Sequence, residues 1–290
     1  MVSYPFLPTT KRRERSKMLL AVDLGNTNLT IGLYEGTKLE ARWRLATDHE
    51  RMPDEYGMQI LSLLQHSGCS PAQLHGVCMA SVVPPLTGRL IQASREYLSQ
   101  DPLIITHQTN LNIKILIDDP SSAGADRIVD AVAVRQLYGG PACVIDFGTA
   151  TNFDIIDTDG NYIGGILAPG IGIAAEAMTL RTAKLPRVEL IPPPNVIGKN
   201  TIHAMQSGLI FGYVSLVEGL IARIRKEMGN DVKFIATGGL AELIAGQTDQ
   251  IPIVAPWLTL DGLRIIWDLN HPQGVNRPQD QNPSHEEKKP

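Results

Sequence analysis

Apolar and polar positions along the chain predict an alternation of strands and helices. The first apolar run, Met18 to Leu24, is almost free of polar residues and indicates a strand buried on both faces. Pro53 to Gln65 carries apolar residues at helical spacing and ends near Gly68. The same patterns predict further strands at 29–34, 38–45, 75–81 and 102–105, and further helices at 84–98 and 124–138.

The order of elements restarts after Gly139-Gly140-Pro141. A hairpin signal at Thr158-Asp159-Gly160-Asn161 separates two of the strands in this second half. The predicted strands lie at 142–145, 152–157, 162–167, 232–236 and 251–255, and the predicted helices at 171–180, 201–228, 240–245 and 258–269. Each half opens with three meandering strands and then alternates helices with strands, which indicates a duplicated α/β domain.

This repeat predicts how the chain is divided into domains. We expect a first domain at 18–140 and a second at 141–270. Residues 1–17 contain a basic cluster and read as an extension before the fold, while 271–290 are rich in Pro, Gln, Asn and charge and read as a disordered tail.

Composition excludes several classes of function. The 290 residues are 43% hydrophobic with a net charge of −4, so nothing points to nucleic acid or an anionic membrane surface as a partner. Aromatic residues make up 5%, too few for a platform that stacks single-stranded nucleic acid. No uninterrupted apolar run reaches ~18 residues, the length of a membrane span. Three cysteines without CxxC spacing suggest reduced thiols, and we expect a cytoplasmic protein.

The first candidate site is the turn Asp23-Leu24-Gly25-Asn26-Thr27-Asn28, which follows the first strand. Gly25 lets the backbone approach a phosphate, and the amide and hydroxyl groups after it supply hydrogen-bond donors. The turn has no lysine, so Asp23 is placed to hold Mg²⁺ directly or through water. Taken alone, the same string also fits an ordinary strand-turn-strand connection.

Two later turns strengthen the nucleotide interpretation. Asp146-Phe147-Gly148-Thr149-Ala150-Thr151 repeats the pattern of strand, Asp, apolar residue and Gly, 123 residues after the first turn. Its hydroxyl groups can bind phosphate or a cation. Thr237-Gly238-Gly239 follows a strand and opens a helix, where two glycines let the backbone pass close to a ring or a ribose. Two facing Asp-Gly turns could therefore hold one nucleotide between related halves.

A fourth candidate lies between the halves, at Gly124-Ala125-Asp126-Arg127. A carboxylate beside a guanidinium suits an anionic substrate that carries a hydroxyl group. Asp126 could accept the hydroxyl proton, and Arg127 could bind a carboxylate or the transferring phosphoryl group. Spacing alone also allows a plain helix start with an exposed arginine.

The three turns together resemble the nucleotide site of the superfamily of acetate and sugar kinases, heat-shock ATPases and actin. With the fourth site included, the chain resembles type III pantothenate kinase from about Met18 to Asp268. The matching strings are Asp23 to Thr27, Gly124 to Arg127, Val144 to Thr151, Gly164-Gly165-Ile166-Leu167-Ala168-Pro169-Gly170, and Thr237 to Gly239. The resemblance implies two ribonuclease-H-like domains with a nucleotide cleft between them, and phosphorylation of pantothenate by ATP at the first step of coenzyme A synthesis.

The resemblance also implies individual roles. ATP would be bound by Asp23, Leu24, Gly25, Asn26, Thr27, Asn28, Leu29, Thr30, Thr149, Gly238 and Gly239. Pantothenate would be bound by Ile117, Gly124, Ala125, Asp126 and Arg127, with Asp126 as proton acceptor, and by Thr201 across a homodimer interface. Asp146 would bind a monovalent cation such as K⁺ or NH₄⁺, and Asp23 would act with Mg²⁺.

One string departs from the family pattern. Family members usually carry Tyr in a Tyr-x-Asn-Pro-like string shortly before the Gly-Ala-Asp-Arg turn, and this chain has Ile117-Asp118-Asp119-Pro120 instead. A hydroxyl contact from that position is lost, which keeps open a kinase acting on another small hydroxylated acid. A further alternative is a non-catalytic accessory transcription regulator of the same family, whose basic residues 11–17 would touch DNA.

Overall fold

Two five-stranded sheets form the framework of residues 17–272, the part of the chain that the computed structural model describes. The first sheet contains β1 (Met18–Leu24), β2 (Asn28–Glu35), β3 (Lys38–Ala46), β4 (Leu74–Ser81) and β5 (Leu103–Ile104). The second contains β6 (Ala142–Phe147), β7 (Ala150–Ile156), β8 (Tyr162–Pro169), β9 (Lys233–Thr237) and β10 (Ile253–Val254). Nearly all of the predicted basic extension and tail lies outside the described residues.

The two sheets share one strand order. It is β3-β2-β1-β4-β5 in the first sheet and β8-β7-β6-β9-β10 in the second. In both, the first three strands are antiparallel neighbours. The fourth strand pairs in parallel with the first, and the fifth in parallel with the fourth. This shared order and direction confirm the predicted duplication of an α/β unit.

Between residues 17 and 272, seven helices connect and cover the strands. They are α1 (Pro53–His66), α2 (Pro84–Leu98), α3 (Ala125–Leu137), α4 (Ile171–Leu180), α5 (Thr201–Met228), α6 (Ala241–Ala245) and α7 (Leu258–Asn270). Each lies where the hydrophobic spacing predicts a helix, with ends that differ by at most a residue or two. Short 3-10 turns at Pro71–Gln73 and Pro120–Ser122 are not predicted by the sequence.

The outer face of each sheet is covered by its own helices. On the first sheet, Tyr56 and Leu64 of α1 and Leu86 of α2 pack against the apolar side chains of β1 and β4. On the second, Val217 and Ile221 of α5 pack against β6 and β9. These side chains are less than 1% exposed, so each half has its own core.

Helices α3 and α7 lie between the two sheets. Ala131 and Val134 of α3 pack against β6 and β7, whereas Leu263 and Trp267 of α7 pack against β1 and β4. The two helices come close because residue 262 is glycine: a Cβ atom there would collide with the Val129 backbone. Helix α7 follows the strands of the second sheet in sequence, but its Leu263 and Trp267 cover the first sheet.

Judged by length and composition alone, α5 is the one helix within residues 17–272 that is long and apolar enough to cross a membrane. The core helix of a folded domain satisfies the same criteria. The apolar side of α5 forms part of the core of the second half, where Ile210 and Val217 are fully buried. Packing against the second sheet therefore accounts for its apolar character.

Candidate active site

A cavity of about 310 Å³ lies between the two sheets, where the carboxyl ends of β1, β6 and β9 meet the start of α3. Ligands of α/β proteins commonly bind at this end of the strands. Most of the predicted site residues line the cavity together, namely Asp23, Gly25, Asn26, Thr27, Asn28, Thr30, Asp126, Arg127, Asp146, Thr149, Gly238 and Gly239. The fold thus brings together residues that are far apart in sequence.

The first turn is fixed by its own backbone and by the end of β3. The Gly25 N–H donates to the Asn28 carbonyl at 2.9 Å, which closes the turn. The Thr47 hydroxyl donates to the Gly25 carbonyl at 2.7 Å, and the Thr47 N–H donates to the Thr27 carbonyl at 2.9 Å. The position of the turn therefore does not depend on a ligand, and Thr47 is a supporting residue that the motif does not reveal.

The second turn faces the first across the cavity. The hydroxyl oxygens of Thr27 and Thr149 lie 2.7 Å apart, so one hydroxyl donates to the other. The Gly148 N–H donates to the Ala150 carbonyl at 3.1 Å, and this hydrogen bond closes the second turn. The two Asp-Gly turns are therefore in direct contact, as expected of a clamp around one ligand.

The third turn packs against the carboxylate of the second. Gly238 has a φ of +89°, a left-handed conformation that favours glycine. A Cβ atom at this position would collide with Oδ1 of Asp146 and with the Phe147 backbone. Glycine at 238 thus permits the close approach of β9 to β6 at the cavity wall.

Three carboxylates share the cavity, and burial dominates their titration. Loss of solvent raises the pKa of Asp23 to about 8, and repulsion from Asp126 and Asp146 adds to this, while Arg44 opposes it. Burial likewise raises the pKa of Asp146 to about 7, with further repulsion from Asp126 and Asp154. The pKa of Asp126 is also raised by burial, against hydrogen-bonding and attraction from Arg127. Such a cluster favours any cation that enters it.

The donor atoms around Asp146 fit a hard cation. Asn152 lies opposite Asp146 on β7, lines the cavity, and has a buried side-chain oxygen with no hydrogen-bond partner. Carboxylate, amide and hydroxyl oxygens are the ligands that Mg²⁺, Ca²⁺ and similar ions prefer. Within residues 17–272, no group of three or more His, Cys, Asp or Glu side chains could hold a metal alone. A cation here would need further ligands, such as phosphate oxygens or water.

Arg127 is partly engaged by the protein itself. Its Nε donates to Oδ1 of Asp154 at 2.6 Å, and the guanidinium lies 5.5 Å from the centre of the Tyr162 ring. The Tyr162 hydroxyl donates to the same carboxylate oxygen at 3.2 Å. These contacts fix the orientation of Arg127 at the cavity wall. Asp154 and Tyr162 were not singled out from the sequence.

Gly124 and Ala125 line a neighbouring cavity of about 410 Å³ instead. Val82 lies in the walls of both cavities, so the two are adjacent. The Gly-Ala-Asp-Arg turn thus stands at their boundary, with its first two residues on one side and its last two on the other.

Four predicted residues lie outside both cavities. The side chains of Leu24 and Leu29 are fully buried in the first core, so only their backbone could reach a ligand. Ile117 is half-buried beside the core around Tyr162, and Thr201 is an exposed residue at the start of α5. The roles of these residues stay predictions.

Asp119 stands where the family usually has Asn, and the structure explains why Asp fits at this position. Its carboxylate accepts hydrogen bonds from the Ser121 N–H at 2.9 Å and from the Ser121 hydroxyl at 2.6 Å. It thereby caps the short helical turn at Pro120–Ser122, a position where Asp and Asn are both favoured.

The structure adds cavity residues that sequence reasoning missed. Arg44 of β3 and Trp257, just before α7, both line the cavity, as does Thr259. Arg44 corrects the view that positive charge must come from a bound cation alone. The alternation of β3 could have revealed that Arg42 and Arg44 share a face, but not that this face borders the cavity.

Comparison with known proteins gives a consistent result. Residues 19–223 match the family model described as type III pantothenate kinase. A type III pantothenate kinase from Roseiflexus sp. (strain RS-1) is 49% identical over 253 residues, which cover 87% of this chain and 99% of that protein. One from Moorella thermoacetica is 48% identical over 253 residues, covering 87% of this chain and 100% of that protein.

Among solved structures, a protein described as a Baf family transcriptional activator from Campylobacter jejuni matches with a TM-score of 0.54. It is 20% identical and the match covers 87% of this chain and 98% of that one, so this likeness concerns the fold alone. The family model and the two relatives decide the assignment. This chain belongs to the type III pantothenate kinase family.

Proposed function

We propose that this protein phosphorylates pantothenate with ATP, giving ADP and 4′-phosphopantothenate, the first step of coenzyme A synthesis. A bond forms between the pantothenate hydroxyl oxygen and the γ-phosphorus, and the bond from that phosphorus to the β–γ bridging oxygen breaks. The leaving ADP keeps the bridging oxygen. Catalysis of this kind depends mainly on positioning and on charge neutralisation.

The observation that carries the proposal is the meeting of Asp23, Asp126 and Asp146 at one cavity. Asp23 and Asp146 come from equivalent strands of the two sheets, each followed by a turn that offers backbone N–H groups and hydroxyls. Asp126 comes from the helix between the sheets and has no equivalent in the repeat. A nucleotide clamp with one additional carboxylate is the arrangement that phosphoryl transfer to a hydroxyl needs.

Asp126 is the proton acceptor in this proposal. It is the second residue of α3, and its Oδ1 accepts a hydrogen bond from the Arg127 N–H at 2.8 Å, which fixes the carboxylate at the cavity wall. Burial raises its pKa, which makes the ionised carboxylate a stronger base than a solvated one. Activity should therefore decline on the acidic side as Asp126 becomes protonated.

The two turns would bind the triphosphate of ATP, and Gly238 and Gly239 would face the adenosine. Asp23 would hold Mg²⁺, and Asp146, together with the free oxygen of Asn152, would hold K⁺ or NH₄⁺. Bound cations would neutralise phosphate charge during transfer. Burial raises the pKa of Asp23 and of Asp146, and repulsion from neighbouring carboxylates adds to this, so a bound cation would stabilise the ionised form of both.

The active form would be a homodimer in which Thr201 reaches the partner's substrate. Large apolar side chains are exposed around the start of α5, including Val196 at 68%, Ile197 at 84% and Ile202 at 50%. A cluster of this kind marks an interaction surface. Sedimentation equilibrium should give twice the chain mass; a monomer that retains full activity would exclude a substrate contact from the partner.

A cytoplasmic location agrees with the chemistry of the cysteines. Cys69, Cys78 and Cys143 are all buried as free thiols. Burial raises the pKa of Cys78 and Cys143, which keeps these thiols protonated and unreactive.

An assay of ADP release tests the proposed function. With Mg²⁺ present, we expect turnover that requires pantothenate and falls when K⁺ is replaced by Na⁺. A chain that begins at Met18 serves as a control, because it should retain activity if residues 1–17 have no catalytic role. Absence of pantothenate-dependent turnover in K⁺ would overturn the proposal.

A further inference from the structure

Arg44 stands in a row with Asp23, one of the carboxylates that line the cavity. Asp23 pairs with Thr30 across β1 and β2, and Thr30 pairs with Arg44 across β2 and β3. Residues directly opposite each other point to the same face of a sheet, and neighbouring strands are about 5 Å apart. The three residues, here called the first ladder, all line the cavity.

Within residues 17–272, no carboxylate forms a direct ion pair with Arg44. Of the two arginines that line the cavity, Arg127 forms an ion pair with Asp154. Across residues 17–272, the Arg44 guanidinium has neither an ion-pair partner nor a hydrogen bond. An exposed cation that acts on Asp23 and Asp146 only at a distance remains available to an anionic ligand.

An aromatic ring holds the guanidinium at the cavity wall. The Arg44 Cζ lies 5.4 Å from the centre of the Trp257 ring, within the range of a cation–π contact. It also approaches the Gly-Gly turn of the second half, since a Cβ atom on Gly239 would lie 3.4 Å from an Arg44 nitrogen. Arg44 thus extends from the first sheet to the turn that would face the nucleotide.

We propose that Arg44 binds the phosphate groups of ATP and that Trp257 positions its guanidinium to do so. A planar guanidinium binds phosphate oxygens through two parallel hydrogen bonds. The triphosphate of ATP would be the anionic partner of Arg44. The assignment rests on the proposed function only in taking ATP as the nucleotide. It adds a phosphate-binding residue that neither Asp-Gly turn contains.

Arg42 offers a matched control. It lies two residues before Arg44 on the same face of β3, and its guanidinium is 4.7 Å from the same Trp257 ring, yet it does not line the cavity. The test compares Arg44→Met, Arg44→Lys and Arg42→Met with the wild type. Calorimetric titrations with ATP, ADP and AMP measure how each variant responds to the number of phosphates.

We expect Arg44→Met to weaken ATP binding about 10- to 100-fold, the equivalent of losing one or two charge-assisted hydrogen bonds. The loss should be smaller for ADP and smallest for AMP. Arg44→Lys should lie between Arg44→Met and the wild type, and Arg42→Met should bind ATP within about twofold of the wild type. Circular dichroism checks that each variant is folded.

Two results would overturn the assignment. One is wild-type affinity for ATP in Arg44→Met. The other is an equal loss for ATP and AMP, which would mean that Arg44 shapes the nucleoside pocket rather than binding phosphate. Failure of the proposed function is distinguishable, because the wild type would then show no ATP binding or no pantothenate-dependent turnover, whatever the variants do.

Discussion

The two sheets present corresponding rows of residues to the cavity, and the rows differ in chemistry. In the first ladder, a carboxylate, a hydroxyl and a guanidinium lie side by side. The second ladder, on β6, β7 and β8, holds a carboxylate, an amide and an apolar side chain. Its members are Asp146, Asn152 and Leu167, all of which line the cavity.

In the proposed function, this difference would let one repeated fold serve two kinds of ligand. The first ladder ends in an unpaired cation, which suits the phosphates of a nucleotide. The second contains a buried amide oxygen without a partner and no cation, which suits a bound cation. Asp126 belongs to neither ladder and comes from the helix between the sheets. In the proposed function, the duplicated halves would provide the clamp and an unrepeated residue would provide the base.

Removing the unrepeated carboxylate should have the largest effect. We expect Asp126→Asn to lower kcat by about 10²- to 10⁴-fold, as for the loss of a general base, with little change in the KM for ATP. Steady-state kinetics provide the measurement. Asp118→Asn is the control, since Asp118 is an exposed carboxylate eight positions earlier that lies outside the cavity. Undiminished kcat in Asp126→Asn would reject its role as proton acceptor.

Replacing Asp23 or Asp146 by Asn should show that the first ladder acts on Mg²⁺ and ATP and the second on K⁺. Asp146→Asn should raise the K⁺ concentration needed for half-maximal activity about 10-fold or more, because a charged ligand is lost. Asp23→Asn should instead raise the requirement for Mg²⁺ and the KM for ATP. Both are measured by titrating one cation at saturating concentration of the other. Identical responses in the two variants would mean that the ladders are equivalent.

The raised pKa of Asp23 predicts a stability effect with a definite sign. The Asp23 carboxyl has a pKa of about 8 in the folded protein and 3.8 in the unfolded chain, so its contribution to stability is fully present only below the lower value and is lost as the pH rises through the upper one. In the absence of nucleotide and Mg²⁺, Asp23→Asn should therefore be more stable than the wild type near pH 8. A gain of about 1 kcal/mol corresponds to roughly 2–4 °C in Tm.

Thermal unfolding at two pH values checks this prediction. The gain should shrink as the pH is lowered from 8 to 5, and it should vanish only below about 3.8, where the carboxyl is protonated in both the folded and the unfolded chain. A stabilisation of equal size at both pH values would point to packing rather than to charge.

The smallest effect should come from the contact between the two turns. The hydroxyl pair of Thr27 and Thr149 is exposed, and a typical hydrogen bond contributes about 0.5–1.5 kcal/mol. A double-mutant cycle with Thr27→Val and Thr149→Val should give a coupling energy in the lower part of that range for unfolding. Additive single effects would mean that the turns meet without stabilising each other.

Local patterns were sufficient to predict the elements of the fold. Apolar runs such as Met18–Leu24 and helical spacing such as that of Thr201–Met228 are decided within a few residues of sequence. The duplicated Asp-Gly turns likewise predicted a shared cavity, because equivalent strand ends in related halves face the same ligand. The structure brings Asp23 and Asp146 together in the expected way.

Features set by long-range pairing could not be predicted in this way. Arg44 lies on the polar face of an alternating strand, where sequence alone indicates solvent exposure. Its place beside Thr30 and Asp23 depends on strand register, and its contact with Trp257 depends on α7 crossing to the first sheet. The ion pair between Arg127 and Asp154 also joins distant segments. These contacts depend on tertiary packing, which the local sequence pattern does not predict.

The identity of the phosphorylated product tests the central claim most directly. Wild-type protein incubated with ATP, pantothenate, Mg²⁺ and K⁺ should yield one phosphate monoester on the pantothenate hydroxyl, in equal amount to the ADP formed. Mass spectrometry with phosphorus NMR identifies the modified oxygen. Accumulation of ADP while pantothenate stays unmodified would contradict the account.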